Sequence, residues 1–125
     1  MRIVIDTDIF IDYFRGLEKA KLFIKKIKGD YVVCYSSITE AELLSGKDCK
    51  NEKTTDLIVD FLLDFVMIPV DSDIAQLGGK LRREYEIELD DALIAATALE
   101  MKTSIITKNS KDFRKIPGLR VINPY

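Results

Sequence analysis

Acidic residues occupy several places in this 125-residue chain where a functional side chain would be well set: Asp6 and Asp8 after an apolar run, Glu40 and Glu42, Asp91, and the polar run Thr107–Asp112. Histidine and tryptophan are absent. Without imidazole there is no Ser-His-Asp or Cys-His catalysis and no His-ligated metal, so chemistry must run on carboxylates, lysine, hydroxyls, two thiols or a bound cation. Cys34 and Cys49 have the spacing of neither a redox pair nor a zinc knuckle. Cys34 lies inside an apolar run and reads as a buried free thiol. Two close carboxylates can divide acid and base roles, as in glycosidases, but sugar sites usually bring aromatic platforms, and the 9% aromatic content here holds no tryptophan. Three or four converging carboxylates repel one another and become stable when they hold a hard cation through oxygen. Mg²⁺ or Mn²⁺ held that way serves phosphate-ester hydrolysis, which points to nuclease or phosphatase chemistry.

The elements that must position these acids follow from periodicity. Residues 2–5 are a short β-branched run that reads as a buried strand, with a helix following through Phe14 to the turn residue Gly16. Residues 17–28 form an amphipathic helix, 31–35 a second strand, and Ser37 with Glu40 an S-x-x-E capping box opening a helix that ends near Gly46. Helices are expected at 52–65, 72–86 and 89–101, and strands at 66–70 (interrupted by Pro69), 104–107 and 120–122. Strands alternating with helices predict an α/β fold with a central, mostly parallel sheet flanked by helices, in one domain over residues 1–125. In such sheets sites form beyond the carboxyl ends of strands, where Asp6–Asp8 and Thr107–Asp112 fall.

Each acid also has a purely structural explanation. Asp6 or Asp8 could cap the following helix, and Asp8 is the better cap candidate. Asp90 and Asp91 lie in the first turn of the helix at 89–101, where negative charge is favourable. Asp91, however, shares a face with Ile94, Ala95 and Ala98, and a carboxylate on an apolar face is costly unless paired, hydrogen-bonded or metal-bound. Glu40 is accounted for by the capping box, which leaves Glu42 the freer of the two, although helical geometry does not separate them. Thr107–Asp112 read alone is a turn fixed by Asx-type hydrogen bonds.

Four segments carry a resemblance. Ile5–Asp12 (IDTDIFID) resembles the opening of PIN-domain ribonucleases, particularly VapC-type toxins, and Ser36–Gly46 (SSITEAELLSG) resembles their second motif, in which the acid directly before leucine is the ligand. Asp91–Ala98 (DALIAATA) and Thr107–Phe113 (TKNSKDF) resemble the third and fourth. The resemblance spans nearly the whole chain in order. It implies a PIN fold in which Asp6, Glu42, Asp91 and Asp112 surround Mg²⁺ or Mn²⁺, with Thr7, Thr107 and Asn109 as supporting polar groups. It also implies endonucleolytic RNA cleavage, homodimerisation and neutralisation by a VapB-type antitoxin. Water as the attacking group would leave 5′-phosphate and 3′-hydroxyl ends. Asp8, Glu86 and Asp90 depart from the pattern, standing where asparagine, glycine and proline are common.

Two other readings of the same residues remain. Asp6-Thr7-Asp8 after a strand suits a haloacid-dehalogenase-like phosphatase with Asp6 as nucleophile and Asp8 as acid–base group, but Phe10 departs from that pattern and the late motifs go unused. A non-catalytic PIN-like RNA-binding module is the other, against which four intact acids argue. The net charge of −2 conceals an uneven layout: residues 54–101 carry 3 basic and 11 acidic groups, residues 102–125 carry 6 and 1. Within that basic segment Lys108, Lys111, Arg114 and Lys115 could contact RNA backbone through a salt-sensitive electrostatic attraction, or could equally form a solvated face. No apolar run reaches the ~20 residues of a membrane span and no signal-peptide layout is present, so the chain is expected to be soluble and cytoplasmic.

Overall fold

A computed structural model describes residues Met1–Tyr125. Its five strands are β1 (Arg2–Ile5), β2 (Val32–Ser36), β3 (Val66–Ile68), β4 (Ile105–Ile106) and β5 (Val121–Ile122). Every pairing is parallel, in the order β3-β2-β1-β4-β5, so β1 lies at the centre with Val4 opposite Cys34 on one side and Ile105 on the other. The helices are α1 (Thr7–Phe14), α2 (Glu18–Asp30), α3 (Ser37–Leu44), α4 (Glu52–Leu62), α5 (Ser72–Tyr85), α6 (Leu89–Glu100) and α7 (Ser110–Phe113), with a 3₁₀ turn at Lys47–Lys50.

The two-residue period of a strand sorts its side chains between two cores. Ile3 and Ile5 of β1, Val33 and Tyr35 of β2 and Ile106 of β4 face one side, where they pack with Phe10, Ile24, Ile27, Ile58, Leu62 and Phe65 from α1, α2, α4 and the turn after α4. Phe10 is fully buried there, edge-on to Tyr35 and Phe65 at 6.0 and 5.5 Å between ring centres. The alternate residues Val4, Cys34 and Ile105 face the other side, against Ile94, Ala95 and Ala98 of α6, Ile74 and Leu81 of α5, and Phe113. Small residues let α5 and α6 approach closely: a Cβ on Gly78 would stand 2.6 Å from Leu93 Cδ2. Cys34 is buried and unpaired, as expected for a free thiol.

Sequence and structure part at several ends. The capping box is displaced by one residue: Ser36 caps α3, its hydroxyl accepting from Ile38 N at 3.1 Å, and the Ser37 hydroxyl instead accepts from Val70 N at 3.0 Å. A partner 33 residues away in sequence thus decides the start of α3. Similarly, the N-cap of α1 is Asp6 and not Asp8, which lies inside the first turn. The polar run after β4 contains a short helix, α7, and the strand containing Pro69 stops at Ile68.

Candidate functional site

The carboxyl ends of β1, β2 and β4 bring Asp6, the start of α3 and Thr107 to one edge of the sheet. Asp6 follows Ile5 directly, and its backbone N–H donates to Ile106 O at 2.9 Å, so the adjoining strand fixes its main chain. The residue is 4% exposed. Oδ1 accepts from Thr7 N at 2.8 Å and Oδ2 from the Thr107 hydroxyl at 2.7 Å. Thr7, one residue on, turns its hydroxyl the other way: it donates to Glu42 Oε1 at 2.6 Å and lies 2.9 Å from the Thr39 hydroxyl. Thr7, Thr39 and Thr107 are all buried. Thr7 therefore ties Asp6, just past the end of β1, to Glu42 on α3, in a line that Thr107 and Thr39 extend. Of the two glutamates weighed from sequence, Glu42 is the one held in this line, although the capping box that seemed to occupy Glu40 does not form.

Asp91 and Asp112 form a second pair. Asp91 sits in the first turn of α6, half-buried, while Ile94, Ala95 and Ala98 of its face are fully buried. Asn109 joins it to α7, its amide Nδ2 lying 3.4 Å from Asp91 Oδ2 and 3.2 Å from Asp112 Oδ2. Asn109 N in turn donates to Thr107 Oγ1 at 2.9 Å, which links this pair back to Asp6. Lys115 approaches the outer Asp112 oxygen at 3.4 Å. No lysine or arginine pairs with Asp6, Glu42 or Asp91.

Burial without counter-charge shifts the proton affinities of these acids. Desolvation, then the charge of Asp8, pushes Asp6 up to about 8, with Thr107 opposing and Asp91 adding. Desolvation likewise raises Glu42 to about 7 against the Thr7 hydrogen bond, with Asp90 adding. Asp91 rises to about 6 through desolvation, then Asp90 and Asp112. Asp8 is also raised, chiefly by burial. Its Oδ2 accepts from Lys108 N at 3.0 Å, and its buried Oδ1 has no hydrogen-bond partner.

An all-oxygen donor set, raised proton affinities and an orphaned buried carboxylate oxygen suit a hard divalent cation. No three of the acids yet stand close enough to make a ready-formed cage; they are joined as two pairs, through Thr7 with Thr107 and through Asn109. Of the cations singled out from sequence, Lys111 and Arg114 are exposed and make no ion pair, while Lys108 and Lys115 are held by Asp12 and Asp112. Sequence reasoning missed Thr39, hidden inside the supposed capping box. It also missed Asp12, which meets Lys108 across 96 residues, and Tyr125, which meets Asp12 across 113.

This parallel sheet, with acids gathered at its carboxyl edge and helices on both faces, is matched over residues 3–119 by a model described as PIN domain, and the chain belongs to that family. Within it the chain falls among the VapC toxins of VapBC toxin–antitoxin systems. It is 32% identical to Ribonuclease VapC19 of Mycobacterium tuberculosis over 94% of this chain and 96% of that one. It is 30% identical to Ribonuclease VapC of Rickettsia bellii over 98% and 96%. Among solved structures it superposes on a toxin–antitoxin complex from Klebsiella pneumoniae with TM-score 0.83 at 34% identity, covering 98% of both chains. VapBC2 from Rickettsia felis, bound to a DNA fragment from its promoter, gives TM-score 0.84 at 26% identity over 98% of both. The fold expected from the motif resemblance is the fold observed, and PIN membership displaces the phosphatase reading of Asp6 and Asp8. No helix is long and apolar enough to cross a membrane.

Proposed function

We propose that this single-domain chain is a metal-dependent endoribonuclease toxin, cutting RNA by water attack and neutralised by a VapB-type antitoxin. The observation that carries the reading is the set of Asp6, Glu42, Asp91 and Asp112 at one sheet edge, the first three with no lysine or arginine beside them. These four would hold Mg²⁺ or Mn²⁺. Bound there, the cation supplies Lewis-acid stabilisation of phosphate charge and lowers the pKa of water.

The chain's own part is orientation. Thr7 N and the Thr107 hydroxyl fix both oxygens of Asp6. The Thr7 hydroxyl fixes Oε1 of Glu42. Asn109 divides its amide protons between Asp91 and Asp112 and so holds α6 and α7 in register. Polar atoms locked by neighbours need little reorganisation when charge develops on a phosphate. Lys108, Lys111, Arg114 and Lys115 would lie along the RNA backbone.

The names of the ribonuclease relatives support RNA as substrate, and the toxin–antitoxin complexes among the structural neighbours support a small protein partner. We further propose a homodimer. The test is cleavage of RNA with Mg²⁺ or Mn²⁺, and with EDTA, resolving the product ends. Cation-dependent cleavage to 5′-phosphate and 3′-hydroxyl ends is expected; 2′,3′-cyclic phosphate ends, or equal cleavage in EDTA, would overturn the mechanism.

A further inference from the structure

Lys108 follows Thr107, the residue whose hydroxyl holds Asp6, and its backbone N–H donates to Asp8 Oδ2 at 3.0 Å. Its main chain is thus fixed at the rim of the acid site. Its ammonium is fixed as well: Nζ donates to Asp12 Oδ2 at 2.7 Å and stands 5.6 Å from the centre of the Tyr125 ring. The Tyr125 hydroxyl donates to the same Asp12 oxygen at 2.9 Å, and the Tyr125 ring packs edge-on against Phe23 at 6.2 Å. The Asp12 side chain is 15% exposed and that of Lys108 42%, so the carboxylate is packed in while the cation reaches solvent.

Such an arrangement is more than a surface lysine needs. Exposed ion pairs add little stability, and ordering a lysine side chain costs conformational entropy. Here α1, the segment after β4 and the segment after β5 converge to order one. Asp12 Oδ2 accepts from two donors, and Lys108 uses one of its three N–H groups on it, leaving two for other acceptors. The Lys108 hydrogen bond also holds the Asp12 carboxyl below its ordinary value, as a charged pair requires.

We propose that Asp12 and Tyr125 are positioning residues that hold the Lys108 ammonium at the rim of the acid site, where it takes a phosphate of the RNA strand. This rests on the reading that the chain acts on RNA. Its test is binding, which is separable from cleavage: a fluorescein-labelled single-stranded RNA titrated in EDTA across a series of salt concentrations. Lys108→Ala should weaken binding and lower the slope of log affinity against log salt by about 0.7, the share of one phosphate contact on a single strand. Tyr125→Phe changes no charge, so it separates positioning from electrostatics. It should weaken binding about threefold in the parent and leave Lys108→Ala unaffected, because residues acting through one another are not additive.

An unchanged salt slope in Lys108→Ala overturns the proposal. So does a Tyr125→Phe effect that is absent in the parent or equal in both backgrounds, the latter marking a merely structural tyrosine. With Mg²⁺ or Mn²⁺ present, both variants should raise KM more than they lower kcat. Failure of the parent to cleave at all would sink the proposed activity while leaving the binding cycle to decide this point.

Discussion

The two halves of the acid site are built from the same chemistry and live in different surroundings. The Asp6–Glu42 half grows from the ends of β1 and β2 and is wrapped in buried threonine hydroxyls. The Asp91–Asp112 half grows from α6 and α7, is half-buried, and is joined by the longer bonds of Asn109, with Lys115 on its outer side. Burial is the leading cause of the raised proton affinity of Asp6, Glu42 and Asp91, which are pushed up to about 8, about 7 and about 6. A neighbouring carboxylate adds to each. Asp6, the most deeply buried of the three, is also raised the furthest. The inner half acts as a fixed wall and the outer half as a more adaptable rim.

Replacing one acid from each half tests that division most severely. Asp6→Asn should lower RNA cleavage by about 10²–10³-fold, the usual scale for removing one preorganised electrostatic group, and Asp112→Asn by only about tenfold. Equal losses would erase the distinction between wall and rim. Initial rates at saturating Mg²⁺ decide it, with circular dichroism confirming that both variants fold.

A weaker but more specific contrast lies in pH. A carboxyl whose native pKa lies above its unfolded value binds more protons folded than unfolded through that interval, so stability falls as pH rises. For Asp6 the interval runs from 3.8 to about 8, and for Asp91 from 3.8 to about 6. In EDTA the melting temperature should therefore decline between pH 5 and pH 8.5. Mg²⁺ should restore more of it at the upper end, because it binds the deprotonated native site. Asp6→Asn should flatten the decline across the whole range, including the part above pH 6 that it shares with Glu42, and Asp91→Asn only the part below pH 6. A decline untouched by either variant would place the proton uptake elsewhere.

Legibility from sequence followed the range of the interactions involved. β1 and α6 were readable because their patterns are local: a β-branched run, and an acid three, four and seven positions ahead of Ile94, Ala95 and Ala98, which are all fully buried. The start of α3 was misplaced because Ser36 and Ser37 are equivalent by local preference, and Val70, from beyond β3, occupies the second hydroxyl. By local preference Asp8 is the better cap. Asp6 holds the cap position and bonds Thr7 N, while Asp8 turns to the backbone of Lys108. α7 has four residues, too few for any periodicity to register. The four acids could be named from motif resemblance, but their division into two halves could not, since it depends on burial and on hydroxyls brought in from distant segments. Nothing near Asp12 or Tyr125 announces a contact made across 113 residues.

The smallest expected effect concerns what places the outer half. α5 ends at Glu86, whose backbone is left-handed at φ 54°, and its N–H donates to Arg82 O at 3.0 Å. A side chain in that conformation is strained by roughly 1–2 kcal/mol, and glycine is the residue that commonly ends a helix this way. Glu86→Gly relieves the strain but also gives the unfolded chain more freedom, so the net gain should be about 0.5–1 kcal/mol. Urea midpoints at constant slope measure it. Cleavage should not change: Asp91 is carried by α6, whose position is set by the close packing of Gly78 against Leu93 and by its buried alanines. If Glu86→Gly instead impaired cleavage while raising the midpoint, the turn itself would be aligning Asp91 with Asp112. The outer half would then depend on backbone strain, where the inner half depends on buried hydroxyls.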